Sequence, residues 1–228
     1  MRNVIALLLL CLTAVAWAQK PSSSTAGDIV AESTLRTDIS AWFTSQEIPD
    51  AVFRRMQGKS FAQGCTTPRS QLRYLRVLHR NRDGKAQVGE LVCHHTIAAA
   101  LLDIFRQLYD AGYCIERMVL IDNYDADDIR SMEANNTSCF NFRFMTGSRT
   151  RVSKHGMGLA IDINPLYNPY VKGNFVSPAS GKAYARNRSS RQPMVIMQGD
   201  LCHRLFLSHG FKWGGAWKSP KDYQHFEN

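Results

Sequence analysis

Two runs of alternating apolar and polar positions, Gln71 to His79 and Val88 to Val92, flank the turn signal Asn81-Arg82-Asp83-Gly84. Strand side chains point to opposite faces in turn, so the pattern predicts a half-buried hairpin. From His95 to Tyr109 the rhythm becomes helical. Ile97, Leu101, Ile104, Phe105 and Leu108 recur on one face, and Gly112 ends the run. Met118 to Asp122 reads as a short buried strand. Asp127 or Asp128 can cap a short helix through Ala134. Upstream, Ile29 to about Thr44 mixes apolar and polar residues and predicts a short helix.

Beyond Phe140 the chain breaks into short apolar pieces punctuated by Gly, Asn and Pro. Leu159 to Ile163 predicts a core strand, Gly199 to His209 a helix, and Tyr223 to Glu227 a closing strand. Between them lies Asn164 to Arg191, long, polar and Pro/Gly-bearing, which is expected to run over the surface. A loop of that length in a compact domain is often functional. There is no internal repeat and no sign of a second domain. Strands and helices mix without βαβ regularity, so the expected class is α+β in a single domain.

The N-terminus sets the compartment. Arg2 precedes an apolar run from Val4 to Val15, and Ala16-Trp17-Ala18 gives the small-x-small pattern of a cleavage site. Residues 1–18 are therefore read as a signal peptide, 19–44 as an N-terminal lead-in and 45–228 as the folded domain. The apolar run is shorter than the ~20 residues of a membrane span, and no later stretch is long enough. The mature protein is expected to be soluble, secreted or periplasmic, with a monomer favoured. A formal net charge of +9 suits residence near anionic polymers, or simple solubility. The basic residues are scattered and carry no nucleic-acid recognition motif. Removing the signal takes Cys11 with it and leaves Cys65, Cys93, Cys114, Cys139 and Cys202. Their odd count leaves at least one thiol unpaired. No C-x-x-C pair is present, so neither a thiol redox motif nor a zinc ribbon is indicated.

The densest chemical signal is Ser153-Lys154-His155-Gly156-Met157-Gly158-Leu159-Ala160-Ile161-Asp162. Two potential metal ligands, His155 and Asp162, stand seven positions apart with glycines between them. Asp162 falls inside an apolar strand, where a carboxylate is costly unless paired or coordinated. The second signal is Asp222-Tyr223-Gln224-His225-Phe226-Glu227, which offers another imidazole. A single regular strand would put Asp222 and His225 on opposite faces, so a turn or strand start at Asp222 is required.

Ser-x-His-x-x-Gly-x-Ala-x-Asp followed by acidic-x-x-His resembles the signature of the zinc D-alanyl-D-alanine carboxypeptidases, which include the vancomycin-resistance DD-peptidases and phage L-alanyl-D-glutamate endolysins. Ser153, His155, Gly158, Ala160 and Asp162 fill the first motif, and Asp222 and His225 the second. Leu72-Arg73-Tyr74, Gly89-Glu90-Leu91, Asn135-Asn136-Thr137-Ser138, Phe140-Asn141 with Arg143, and Ile163-Asn164-Pro165 extend the likeness over roughly Ile48 to Glu227. The resemblance implies a small antiparallel sheet packed with helices, as in the hedgehog/DD-peptidase fold. It implies Zn2+ held by His155, Asp162 and His225 with an open fourth position, the arrangement of catalytic rather than structural zinc. Asp222 would be the base, where many relatives carry Glu. An arginine would stabilise the oxyanion, either Arg143 or Arg130 in Ile129-Arg130-Ser131. Ser153 would bind substrate or steady the motif loop.

The activity implied is hydrolysis of peptidoglycan stem peptides by a zinc metallopeptidase, with a D-alanyl-D-alanine carboxypeptidase the leading expectation. An L-Ala-D-Glu or crosslink endopeptidase is the alternative enzyme. A non-catalytic zinc-containing binding module is the alternative class. Trp213 and Trp217 are candidates for stacking on wall material or for the core. His94-His95 beside Cys93 looks like a metal cluster but is not expected to be one, because adjacent side chains on a helix start or strand point apart. Cys139 reads as a buried thiol.

Overall fold

The computed structural model describes residues 23–36, 38–145 and 147–228; the expected signal peptide lies outside them. Chain order runs α1 (Glu32–Leu35), β1 (Thr44–Gln46), α2 (Asp50–Met56), β2 (Leu72–Arg80), β3 (Ala86–His94), α3 (His95–Asp110), α4 (Asp128–Glu133), β4 (Ala160–Asp162), β5 (Tyr170–Lys172), β6 (Phe175–Ser177), α5 (Leu201–Ser208), β7 (Lys212–Trp213), β8 (Lys221–Asp222) and β9 (His225–Glu227). Among the described residues three small antiparallel sheets result, ordered β1-β2-β3, β4-β9-β7 and β6-β5-β8. The architecture is α+β, as expected.

The β2–β3 hairpin is the scaffold, with Leu72 opposite His94 and Arg80 opposite Ala86. One layer of core forms where α3 lays Ile97, Leu101, Ile104, Phe105 and Leu108 against it. The same cluster takes in Ile161 of β4, Phe206 of α5 and Phe226 of β9. Phe206 and Phe226 stack with ring centroids 4.2 Å apart. The strands that carry the metal-ligand candidates are thus anchored by the fully buried neighbours Ile161 and Phe226.

Three elements depart from the expectations. Ile29 to Thr44 does not form one helix: Ile29 bridges Gln87 in extended conformation, and only Glu32–Leu35 and a 3₁₀ turn at Ser40–Trp42 are helical. Burying Val30, Leu35 and Trp42 against Leu78 and Val88 decides the local shape. Met118 to Asp122 is buried but is not a strand. One bond from the Glu90 N–H to the Met118 carbonyl borders β3, and a 3₁₀ turn follows from Ile121 to Tyr124. Asn164 to Arg191 is not a surface excursion. It contains β5, β6 and a 3₁₀ segment at Ala179–Tyr184, and it buries Tyr167, Asn168 and Ala185. Among the described residues no helix is long and apolar enough to cross a membrane. Cys65, Cys93, Cys114, Cys139 and Cys202 are all free thiols.

Candidate metal centre and its cleft

His155 sits in a 3₁₀ turn, His155–Met157, that leads into β4. The Ser153 hydroxyl accepts the Gly156 N–H at 3.0 Å and holds that turn. Gly158 closes it at φ 71°, and its carbonyl accepts the His94 N–H at 2.8 Å. A Cβ on Gly158 would lie 2.7 Å from the His94 nitrogen, so the approach of turn to hairpin requires glycine. The His155 Nδ1–H donates to the Cys139 carbonyl at 2.7 Å. That bond fixes the tautomer and turns Nε2 inward.

Asp162 ends β4 directly opposite His225 at the start of β9. The His155 Nε2 lies 3.3 Å from Asp162 Oδ2 and 3.1 Å from His225 Nδ1. The His225 Nδ1 lies 3.2 Å from Asp162 Oδ1. One ligand atom from each residue falls within 4.8 Å of the others. On its far side the His225 Nε2–H donates to Glu227 Oε2 at 3.2 Å. Both imidazoles are therefore satisfied at the rear and aim their remaining nitrogen at one point shared with a carboxylate. Two nitrogens and an oxygen, pre-oriented by rear hydrogen bonds, fit a divalent zinc ion.

The electrostatics agree with a site built for positive charge. Burial alone would raise the Asp162 carboxyl, but His155 and His225 outweigh it and hold it well below the usual carboxylate range. Burial disfavours the His225 imidazolium, yet hydrogen bonds to Asp162 and Glu227 raise it to about 10. Asp222 behaves oppositely. Burial first, and the Asp162 charge second, raise it to about 6. Its Oδ1 is buried with no hydrogen-bond partner.

Two cavities share a wall made of His155, Tyr170, Asp222 and His225. The smaller, about 330 Å³, also contains Arg143, Asp128, Gln224 and Phe175. The larger, about 720 Å³, contains Trp217, Met145, Ser153 and Glu227. Arg143 is tied by Nη2 to Asp128 Oδ2 at 3.1 Å, while its Nη1 is buried without a partner. Arg130 is not in either lining. Its side chain is 57% exposed and pairs with Asp125 at 3.1 Å. Trp213 belongs to the core, with its Nε1–H donated to the Tyr223 carbonyl at 2.9 Å, whereas Trp217 faces the larger cavity.

Residues not singled out from the sequence as parts of the site include Glu227 as the His225 support, and Tyr170 and Phe175 as walls. The Glu227 signal was available: residues two apart on a strand share a face, so β9 must present Glu227 beside His225. Tyr170 gave no such signal, because its position depends on pairing with distant β8, and Phe175 is placed beside it through the pairing of β6 with β5.

The stretch 146–228 matches the family model described as D-alanyl-D-alanine carboxypeptidase. It contains all three candidate ligands and Asp222, and it supports a peptidase. The resemblance to the D-alanyl-D-alanine carboxypeptidase family that the motifs carry is shown by this match. No curated protein and no solved structure matches the chain.

Proposed function

We propose that the protein is an exported zinc-dependent peptidase that removes the terminal residue from D-alanyl-D-alanine ends of peptidoglycan stem peptides. The observation that carries the reading is the convergence of His155, Asp162 and His225 beside the partnerless oxygen of Asp222, inside the matched segment. Zinc held by the three donors would supply Lewis-acid polarisation of the scissile carbonyl and acidify a water. Burial and the neighbouring Asp162 charge raise the Asp222 carboxyl above the usual carboxylate range, so it binds a proton more readily than an ordinary aspartate. It takes the proton of the attacking water and hands it to the departing amine. Arg143 turns its free Nη1–H toward the oxygen on which negative charge develops, braced from behind by Asp128. Ser153 serves by holding the turn that presents His155. Export rests on the Arg2, Val4–Val15 and Ala16-Trp17-Ala18 pattern.

The test is a digest of purified muropeptides by the zinc-loaded mature protein, read by mass spectrometry beside a metal analysis. The expected products have lost one terminal alanine. Internal fragments would move the activity to another bond. Full zinc with no product from any muropeptide would remove the enzyme and leave a binding module. His155→Ala and His225→Ala are expected to carry no zinc, and full zinc in both would dismiss the ligand set.

A further inference from the structure

The larger cavity has walls that the metal centre does not need. The Trp217 ring stands 5.4 Å from the His225 ring and is partly exposed. Met145, 44% exposed, adds a second apolar surface. Two cations complete the lining, Arg151 and Lys154. Lys154 is engaged, with its Nζ donating to the Asn228 carbonyl at 2.7 Å. Arg151 is exposed and makes no ion pair among the described residues. Its backbone is nonetheless fixed, since its carbonyl accepts the Met145 N–H at 2.8 Å and the neighbouring Val152 bridges Phe144. The two carboxylates of this cavity are turned to other work: Asp222 flanks the ligand set, and Glu227 is held by His225.

We propose that this cavity is the subsite for the acyl side of the substrate and that it selects an acidic peptide. Trp217 and Met145 pack along the peptide, and Arg151 pairs with one of its carboxylates. The inference rests on the peptidase reading above and deepens it. Size separates the two sides of the cleft. About 330 Å³ beside Arg143 suits a single small leaving residue, while about 720 Å³ accommodates a chain. Charge then chooses the chain. A guanidinium with no ion-pair partner among the described residues, set on a pinned backbone at the cavity wall, attracts a carboxylate. The apolar walls lower the local dielectric and strengthen that pairing.

The test uses two synthetic peptides ending in D-Ala-D-Ala, one with a free glutamate side-chain carboxylate upstream and one with that carboxylate amidated. Zinc-loaded wild type, Arg151→Glu and Arg151→Lys are compared. Arg151→Glu exchanges an attraction for a repulsion, so KM for the acidic peptide is expected to rise roughly five- to tenfold more than KM for the amidated one. Arg151→Lys keeps the preference, and added salt weakens it. Equal KM changes for both peptides overturn the proposal. A second readout does not depend on turnover: quenching of Trp217 fluorescence in zinc-loaded Asp222→Asn, with Trp217→Phe as the blank. If neither peptide is hydrolysed but the acidic one quenches with an affinity that depends on Arg151, the peptidase reading falls and the acidic subsite stands. Absent quenching, or quenching indifferent to the carboxylate or to Arg151, removes the subsite whatever the turnover.

Discussion

Asp222 and His225 are three positions apart in sequence but belong to different sheets, Asp222 opposite Tyr170 and His225 opposite Asp162. The chain crosses between the sheets within Tyr223 and Gln224, so both flanking side chains line the same cavities. The crossing is clamped. The Arg188 guanidinium lies over the Tyr223 ring at 3.9 Å, and its Nη atoms donate to the carbonyls of Tyr167, Tyr184 and Ile196. Gly214 packs beneath it, where a Cβ would fall 2.6 Å from the Asp222 carbonyl oxygen. The segment 164–191 thereby holds the proposed base in place through both β5 and Arg188.

Because Asp222 stands outside the ligand set, Asp222→Asn is expected to keep zinc and fold while losing the proton shuttle. The peptidase rate should drop by roughly 10² to 10⁴, measured on preparations with equal metal content. An Asp222→Asn protein as active as wild type would leave the metal site standing and dismiss the mechanism. Loss of zinc in the variant would move Asp222 into the ligand shell.

Arg143 and Arg130 are separated by the same assay. Arg143→Ala removes the unpartnered donor in the smaller cavity and is expected to lower kcat by about 10² to 10³. Arg130→Ala breaks an exposed pair with Asp125 and a long hydrogen bond to the Tyr124 carbonyl, both outside the two cavities, and should leave the rate at the wild-type level. A larger loss in Arg130→Ala would reassign the oxyanion role.

The parts of the fold legible in the sequence are those whose pattern repeats over many residues. β2 and β3 are nine residues each and α3 is sixteen, long enough for period 2 and period 3.6 to show. The candidate ligands were legible because His155 and Asp162 fall within one motif and His225 in another. What could not be read is set by distant partners. β5 and β6 have three residues each and show no alternation; their strand character comes from each other and from β8, some fifty residues on. The break between β8 and β9 was required by stereochemistry, but its location follows from the clamp by Arg188. Ile29 to Thr44 has helical-looking composition, yet docking on the hairpin overrides it.

His79 gives a prediction about pH and stability. It is buried in β2, and its Nδ1–H donates to the Ile115 carbonyl at 2.7 Å. Burial lowers its pKa to about 4, below the usual 6.5. Between those values the unfolded chain takes up a proton that the native protein refuses. Its contribution is therefore fully present above pH ~6.5 and is lost as pH falls toward 4, by roughly 3 kcal/mol in total. His79→Asn keeps a donor for Ile115 but does not titrate. Urea unfolding from pH 7 to 4.5, with a chelator present, should show a shallower loss of stability in the variant than in wild type. Identical slopes would show that His79 does not carry this part of the acid sensitivity.

Glu227 gives the prediction that bears most directly on how the metal site is built. The carboxylate accepts the His225 Nε2–H, and that bond holds Glu227 itself below the ordinary carboxylate range. Its role is to fix the ring so that Nδ1 faces Asp162 and His155, and to make that nitrogen a better donor. Outer carboxylates of this kind are worth 10- to 100-fold in metal affinity. Glu227→Ala is expected to weaken zinc binding by about that factor in a chelator competition. Glu227→Gln still offers an acceptor oxygen but no charge, so it should fall between wild type and Glu227→Ala. His155 has its own support in the Cys139 carbonyl, so its orientation does not depend on Glu227, and the variants should retain the fold. The order of affinities separates this role from the other one open to a carboxylate so close to the cleft. If Glu227 were the base, Glu227→Gln would bind zinc as wild type does and lose only the rate. Wild-type affinity in both variants would end the positioning role; only if the rate were lost as well would Glu227 move to proton transfer and the assignment of Asp222 be given up with it.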